Sequence, residues 1–368
     1  MTEGWESKPF VECLERVTYT PKIQRKDFLR QGPYPIVSQE DQFINGYWDR
    51  GADLFRLTKP VVVFGDHTKV LKYIDFDFVL GADGVKILQP LDFLEPKFLF
   101  YRLQMANLDS LGYARHYRLL KELDVAYPPR PEQQRIVGIL DEAFEGIAAA
   151  KANAEKNLKN ARTIFESHLR AVLAQRGEGW VEESLEGLVA SGVVQLTRGK
   201  VISKRDLAAT PGEFPVYSSA KEKNGQFGKY GLFMFDEELI TWSVDGGGRL
   251  FHRPRHKFSV TNVGGILRIL QPDRLSYEYL YRVLSYLHSQ VRFDWVRKAH
   301  PSVILKLYND IPVPSLDTQV RVSESLRDVE RPVQRLEAIY ERKLAACQEL
   351  KMSLLHEAFA GRLGTQAA

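Results

Sequence analysis

Several short stretches carry residue types that could do chemistry. Tyr127-Pro128-Pro129-Arg130 approaches the Asn/Asp-Pro-Pro-aromatic pattern of an amino-methylating site. That chemistry needs a side-chain oxygen before the prolines to accept the amine hydrogen, and Tyr127 stands there instead. Gly246-Gly247-Gly248 resembles a phosphate loop, but no Lys-Ser/Thr partner and no Gly-x-Gly-x-x-Gly spacing accompanies it. The triplet reads as a hairpin turn or a turn facing a polyanion. Asp66-His67 and Asp245 could begin a metal site, yet no second carboxylate and lysine follow at a convincing distance. His252 and His256 are four apart, and Pro254 between them forbids a helical metal face. Two distant thiols, Cys13 and Cys347, make neither a disulfide framework nor a zinc site. No Ser/His/Asp or Cys/His spacing stands out. The expectation is a chain without catalytic, metal or cofactor residues of its own.

The cations are more telling. In the second half Arg249, His252, Arg253, Arg255, His256 and Lys257 crowd one stretch with Phe251 and Phe258. Lys221 and Lys223 precede it, and Arg292, Arg297, Lys298 and His300 follow. In the first half Arg50, Arg56, Lys59, His67, Lys69 and Lys72 take the matching place, then Arg115, His116 and Arg118. Cationic groups offset phosphate charge and release counterions, and arginine pairs with guanine edges. The candidate DNA-contacting set is Arg50, His67, Lys69, Arg115, His116, Lys221, Lys223, Arg249, Arg253, Arg255, Arg297, Lys298 and His300. A single surface cation is ordinarily only solvated, so the weight rests on the clusters together.

Composition sets the frame for these residues. The 368 residues carry 51 Lys+Arg against 47 Asp+Glu, a formal net charge of +4, with 44% hydrophobic and 27% charged residues. That is the balance of a globular protein rather than a disordered tail. No apolar run approaches a bilayer span, and Met1-Thr2-Glu3-Gly4-Trp5 does not begin like a signal peptide. With so few cysteines, a reducing, cytoplasmic location and no membrane partner are expected.

The elements that would position the cations occur twice. Tyr34-Pro35-Ile36-Val37-Ser38 resembles Phe214-Pro215-Val216-Tyr217-Ser218, an offset of 180 (34 to 214). Asp124-Val125-Ala126-Tyr127-Pro128 resembles Asp310-Ile311-Pro312-Val313-Pro314, an offset of 186 (124 to 310), and the same offset carries Gln133 to Gln319 and Arg135 to Arg321. Trp5 and Trp180 mark the two starts. After each exit an apolar stripe runs at three-four spacing: Ile136, Leu140, Ala143, Ile147, Ala150, Ala154, Leu158, Ala161, Phe165, Leu169, Val172. The second copy, shifted by the same offset, runs Val322, Leu326, Val329, Val333, Leu336, Tyr340, Leu344, Cys347, Lys351, Leu355, Ala358. Only Lys351 breaks it, with apolar Leu350 beside it, and Pro332 is placed to kink the second helix. Helices of roughly 40–45 residues, on the order of 65 Å, outrun one small domain and predict a coiled-coil seam. Short glycine-punctuated strands at 60–80 and 232–270, then helices at 95–108 and 276–294, complete each copy.

At this level the chain resembles the specificity subunit of type I restriction-modification systems. The resemblance rests on LLKELDVAYPPRPEQQRIVGIL at 119–140 and LKLYNDIPVPSLDTQVRV at 305–322, and on the recognition-core-like stretches 64–88 and 240–267. Asp317-Thr318-Gln319 matches the usual helix start less well than Pro131-Glu132-Gln133 does. The resemblance implies an α+β chain of two mixed α/β target-recognition domains, at 1–130 and 177–316. Each is followed by a long helix, at 131–176 and at 317–368 with the tail. The helices would pack as an antiparallel coiled coil with pseudo-two-fold symmetry. It implies double-stranded DNA as ligand, each domain reading one half of a split site, with the helices as ruler. It also implies docking of two methyltransferase subunits that hold S-adenosylmethionine, and of motor-nuclease restriction subunits. The pairing and docking region would hold Leu140, Ile147, Leu158, Phe165, Leu326, Val333, Leu336 and Leu344. The competing classes are a stand-alone DNA methyltransferase or nuclease, which lacks its motifs here, and a protein-only coiled-coil scaffold, which needs no basic loops in both halves.

Overall fold

Apolar β-branched runs and the two long stripes become strands and helices in two separate units. The computed structural model describes residues 4–82, 84–106, 108, 115–175, 177, 179–219, 223–245, 247–291 and 298–363. One unit comprises Met1–Glu155 with Arg342–Ala368, and the other Lys156–Glu341.

In the first unit the strands are β1 (Glu6–Pro9), β2 (Tyr34–Val37), β3 (Gly46–Trp48), β4 (Leu54–Phe55), β5 (Val61–Gly65), β6 (Leu71–Ile74), β7 (Phe78–Leu80), β8 (Val85–Leu88) and β9 (Asp124–Tyr127). The helices are α1 (Pro96–Gln104), α2 (Tyr117–Leu120) and the long α3 (Arg130–Ala174), whose second half belongs to the other unit. The sheets have the orders β3-β2-β7-β4, β6-β5-β8 and β1-β9. All five residues of β5 are buried, as a Val-rich central strand covered on both faces should be. The core gathers Phe64, Phe98, Leu99, Leu103 and Val125 with Ile136 and Leu140 of α3.

The second unit adds β10 (Val181–Glu183), β11 (Val194–Arg198), β12 (Phe214–Tyr217), β13 (Gln226–Tyr230), β14 (Phe235–Ser243), β15 (Leu250–Val260), β16 (Gly264–Ile269) and β17 (Ile311–Val313). Its helices are α4 (Leu185–Ala190), α5 (Lys204–Ala209), α6 (Tyr277–Gln290), α7 (Pro301–Leu305) and the long α8 (Leu316–Phe359). Six strands form one sheet, β11-β16-β14-β15-β12-β13, and β10 pairs β17. The duplication extends to pairing. β2 pairs β7 in parallel through Val37 and Leu80, and β12 pairs β15 in parallel through Tyr217 and Val260, an offset of 180 on both sides. The continuous β15 corresponds to β6 and β7, which are separate strands in the first unit.

At the junction of domain and helix one clamp is duplicated atom for atom. Gln133 is fully buried. Its Nε2 donates to the Phe93 and Pro128 carbonyls at 2.9 and 2.8 Å, and its Oε1 accepts from the Glu95 amide at 2.7 Å. Gln319, also fully buried, donates to the Arg274 and Pro314 carbonyls at 3.0 and 2.9 Å and accepts from the Ser276 amide at 2.9 Å. A primary amide is the one side chain that offers two donors and an acceptor in this geometry. It satisfies the amide at the entry to α1 or α6 and the carbonyl at the domain exit together.

Within each unit α3 and α8 run antiparallel. Leu140 shares a core with Leu355 and Ala358 in the first, and Leu169 shares one with Leu326 in the second. Arg162 reaches Glu337 at 3.0 Å. Ala154, Ala161 and Val333 are buried, while Ile147, Leu158, Phe165 and Leu344 are half-buried. Two stripe positions depart from the seam: Ala150 and Leu336 are exposed. Lys351 turns inward, its ammonium 5.2 Å from the centre of the Phe144 ring, and Leu350 faces solvent. Burial and the charge of Lys151 push the Lys351 pKa below the ordinary lysine value. α8 continues through Pro332 as a helix. No helix among the described residues is long and apolar enough to cross a membrane.

Candidate nucleic-acid interface

The cations separated in sequence meet at one kind of corner, built once in each unit. In the first unit the chain turns between β5 and β6 through Asp66-His67-Thr68-Lys69. Asp66 is buried. Its carboxylate accepts from the Tyr117 amide at 2.8 Å, and its carbonyl accepts from the His116 amide at 2.7 Å. These bonds bring Arg115-His116, some fifty residues away, beside the turn. On the other side Gln39 Oε1 accepts from the His67 amide at 3.2 Å, and the Thr68 hydroxyl donates to the Gln39 carbonyl. Lys69 lies in the left-handed region at φ 61°, where a side chain is strained. Its Nζ donates to the Leu108 carbonyl at 3.3 Å.

In the second unit the turn between β14 and β15 is held in the same way. The Val244 carbonyl accepts from the Ala299 amide at 2.7 Å, matching the Asp66–His116 bond. Trp242 Nε1 donates to the Ala299 carbonyl at 2.7 Å. The Ser219 hydroxyl, one residue after the Ser38/Ser218 repeat as Gln39 is, accepts from the Asp245 amide at 3.2 Å. Gly247 and Gly248 have φ of 74° and 77°, and a Cβ on Gly248 would come within 3.0 Å of His288. Glycine is therefore demanded by conformation and by space. Gly247 and Gly248 lie in a strand-connecting turn.

Arg115 and Lys298 thus occupy equivalent places, each one residue before the clamped amide, and both are exposed. Lys298 Nζ lies 3.3 Å from Asp245. Arg249 is exposed beside the Phe251 ring, and His300 Nδ1 lies 3.5 Å from the Arg198 guanidinium. Arg198 and Lys200 are exposed cations that sequence reading missed. Their signal was a basic pair flanking Gly199 at the end of β11, legible once β11 is known to pair β16.

Other candidates have local partners of their own. Arg50 stacks 4.9 Å from the Trp48 ring and pairs with Asp53, and Arg255 is exposed 3.5 Å from Asp236. Two are interior and are corrected accordingly. His116 is buried, with Nδ1 3.1 Å from the Asp66 carbonyl oxygen. Arg253 is 1% exposed, with bonds to the Thr241 hydroxyl at 3.0 Å and the Asn224 carbonyl at 2.9 Å, stacked 3.6 Å from the Tyr217 ring centre. Burial lowers its pKa to about 10. These two hold the frame. Lys72 is likewise 4% exposed and bonds Asn45 Oδ1 at 3.1 Å and the Gln42 carbonyl; burial lowers its pKa to about 8. Lys221, Arg292 and Arg297, and the side chain of Lys223, lie outside the described residues. His252 pairs with Glu238 at 2.6 Å, and His256 meets the Tyr217 hydroxyl at 3.1 Å, so both serve the sheet. Among the described residues no group of three or more His, Cys, Asp and Glu side chains is placed to hold a metal ion.

With the geometry in view, comparison with known proteins is informative. No family model matches the chain. A putative type I specificity subunit of Mycoplasma pneumoniae is 32% identical over 138 residues, which is 36% of this chain and 44% of that protein. A second from the same organism is 26% identical over 215 residues, covering 56% of this chain and 83% of its own length. A solved chain from a type I restriction-modification system superposes with a TM-score of 0.68 over 98% of this chain and 99% of that one, at 18% identity. The chain is similar in sequence to type I specificity subunits. The solved type I chain shows the fold alone, and the chain spans about half the length of the curated relatives it matches first. The likeness to specificity subunits agrees with the α+β plan of two mixed domains, each leading into a long helix.

Proposed function

We propose that this chain is the DNA-recognition subunit of a type I restriction-modification complex. Each unit contacts one half of a bipartite duplex target through its cationic corner, and α3 and α8 set the spacing between half-sites. The observation that carries this reading is the recurrence of the corner. A strand turn clamped to a distant amide presents Arg115 in one unit and Lys298 in the other, with the neighbouring cations. Two equivalent cationic corners on a duplicated chain fit a two-part polyanion. Phosphate contacts from these residues would position the protein, and the adjoining turns would meet base edges.

The chain would carry no catalytic site. Methyl transfer would belong to two methyltransferase subunits that hold S-adenosylmethionine and dock on the exposed faces of α3 and α8. Leu336, Ile339, Leu350 and Met352 support this, since they are large apolar side chains exposed on α8. Motor-nuclease subunits would join the same assembly for restriction. The test is co-expression of the chain with a type I methyltransferase subunit from the same genome, followed by methylome sequencing. The expected product is one split motif. Replacing 177–309 by the matching segment of a relative should change one half of the motif. Methylation of a single continuous motif, or a change in both halves, would refute the reading.

A further inference from the structure

The Gln133 and Gln319 clamps align the two domain–helix junctions residue by residue. Glu95 falls on Ser276, so Lys97 of α1 corresponds to Glu278 of α6 and Tyr101 to Arg282 (an offset of 181, 95 to 276). On the long helices Asp141 corresponds to Arg327 and Phe144 to Glu330 (an offset of 186, 133 to 319). Much of this junction is the same in both copies: Leu99 and Leu280, Leu103 and Leu284, Leu140 and Leu326 are all buried. Those shared contacts, with the identical glutamine clamps, would let either domain seat on either long helix, in its own chain or in a second copy.

Two contacts differ, and they differ by inversion. In the first unit Lys97 Nζ reaches Asp141 at 2.7 Å, the Tyr101 hydroxyl donates to the same carboxylate, and the Tyr101 and Phe144 rings meet edge-on at 5.2 Å. In the second, Glu278 takes the Arg327 guanidinium at 2.9 Å, and Arg282 reaches Glu330 at 2.8 Å. The cation and anion have changed sides, and a ring pair has become an ion pair.

We infer that these two contacts are a seating code that keeps each recognition domain on its own long helix. Crossed seating of the first domain would set Lys97 against Arg327. Crossed seating of the second would set Glu278 against Asp141 and take Arg282, 8% exposed and paired with Glu278 of its own helix at 3.0 Å, from Glu330 to Phe144. Like charges at contact, Lys97 with Arg327 and Glu278 with Asp141, and the loss of the Arg282–Glu330 pair disfavour the crossed arrangement. On the proposed function, whose test is separate, the code also fixes the order of the two half-sites along the chain.

The experiment uses the full chain without DNA, so it stands or falls independently of target reading. D141R/F144E places the chemistry of α8 on α3 and should lower the melting midpoint by about 5 °C or more. Adding K97E/Y101R should return it to within about 2 °C of wild type. The reciprocal pair is R327D/E330F, restored by E278K/R282Y. Should a double variant be recovered only from inclusion bodies, return of the quadruple variant to the soluble fraction reads the same recovery. A double variant as stable as wild type, or a quadruple variant no better than its double, overturns the code.

Discussion

The buried glutamines make the sharpest test of how the domains are held. Gln133→Leu keeps the volume and removes three hydrogen bonds, those to Phe93, Pro128 and Glu95. The site is fully buried, so no solvent replaces them. An orphaned buried amide or carbonyl costs about 1–3 kcal/mol, and the amide is the worse loss because a carbonyl has a second lone pair. Summed with some relaxation, the penalty is about 3–5 kcal/mol. For a unit of this size each kcal/mol lowers the melting midpoint by about 2–4 °C, so a fall of roughly 10 °C is expected. Differential scanning calorimetry of the full chain would measure it, and Gln319→Leu should produce a similar loss. Gln133→Glu adds a control. Its carboxylate accepts from Glu95 but repels two carbonyl oxygens, and burial raises its pKa further. A raised carboxyl pKa makes the folded state hold its proton longer, so Q133E should recover stability as pH falls toward about 5. A Q133L chain that melts within about 2 °C of wild type would remove the clamp from any part in seating the domain.

Three further outcomes follow. Arg115→Ala and Lys298→Ala should each weaken duplex binding and reduce the slope of log K against log salt by about 1, measured by fluorescence anisotropy; Arg253→Ala should instead lower the melting midpoint, because its guanidinium is interior. Inserting four helical residues after both Ala150 and Leu344 adds about 6 Å to each helix and should lengthen the unspecified spacer of the methylated motif by about two base pairs, as methylome sequencing would read; an unchanged spacer with methylation intact would end the ruler role. Burial holds the Lys72 pKa at about 8, below its ordinary 10.5, so the unfolded chain binds that proton more readily. Stability should therefore rise as pH climbs between those values, and Lys72→Met should flatten the rise in urea titrations.

Much of the plan was legible in the residues. The repeat at 34/214 and 124/310 foretold paired strands and exits, and the 136–172 and 322–358 stripes foretold both long helices, because helical periodicity is local and survives without knowledge of the partner. Ala150, Leu336 and Lys351 were misread for the complementary reason. A stripe marks the face that can be buried, but burial needs a surface opposite, and only the packed helices show where that surface lies. The cations divide in the same way. Arg253 and Arg255 are two residues apart in β15, yet one lies inside and the other outside. A register shift interrupts the β14–β15 pairing between Glu237 and Leu239, so the exposed edge cannot be counted from sequence.

The residue order by itself determined the duplication, the long helices and the basic turns, since each is a pattern along the chain. Only the tertiary structure decided which cations reach solvent, that Arg115 and Lys298 share a place, and that Lys97–Asp141 and Glu278–Arg327 are one contact with its charges exchanged. Those facts join residues about fifty positions apart on separate elements. Their meaning depends on distance, register and solvent exclusion, which no linear spacing encodes.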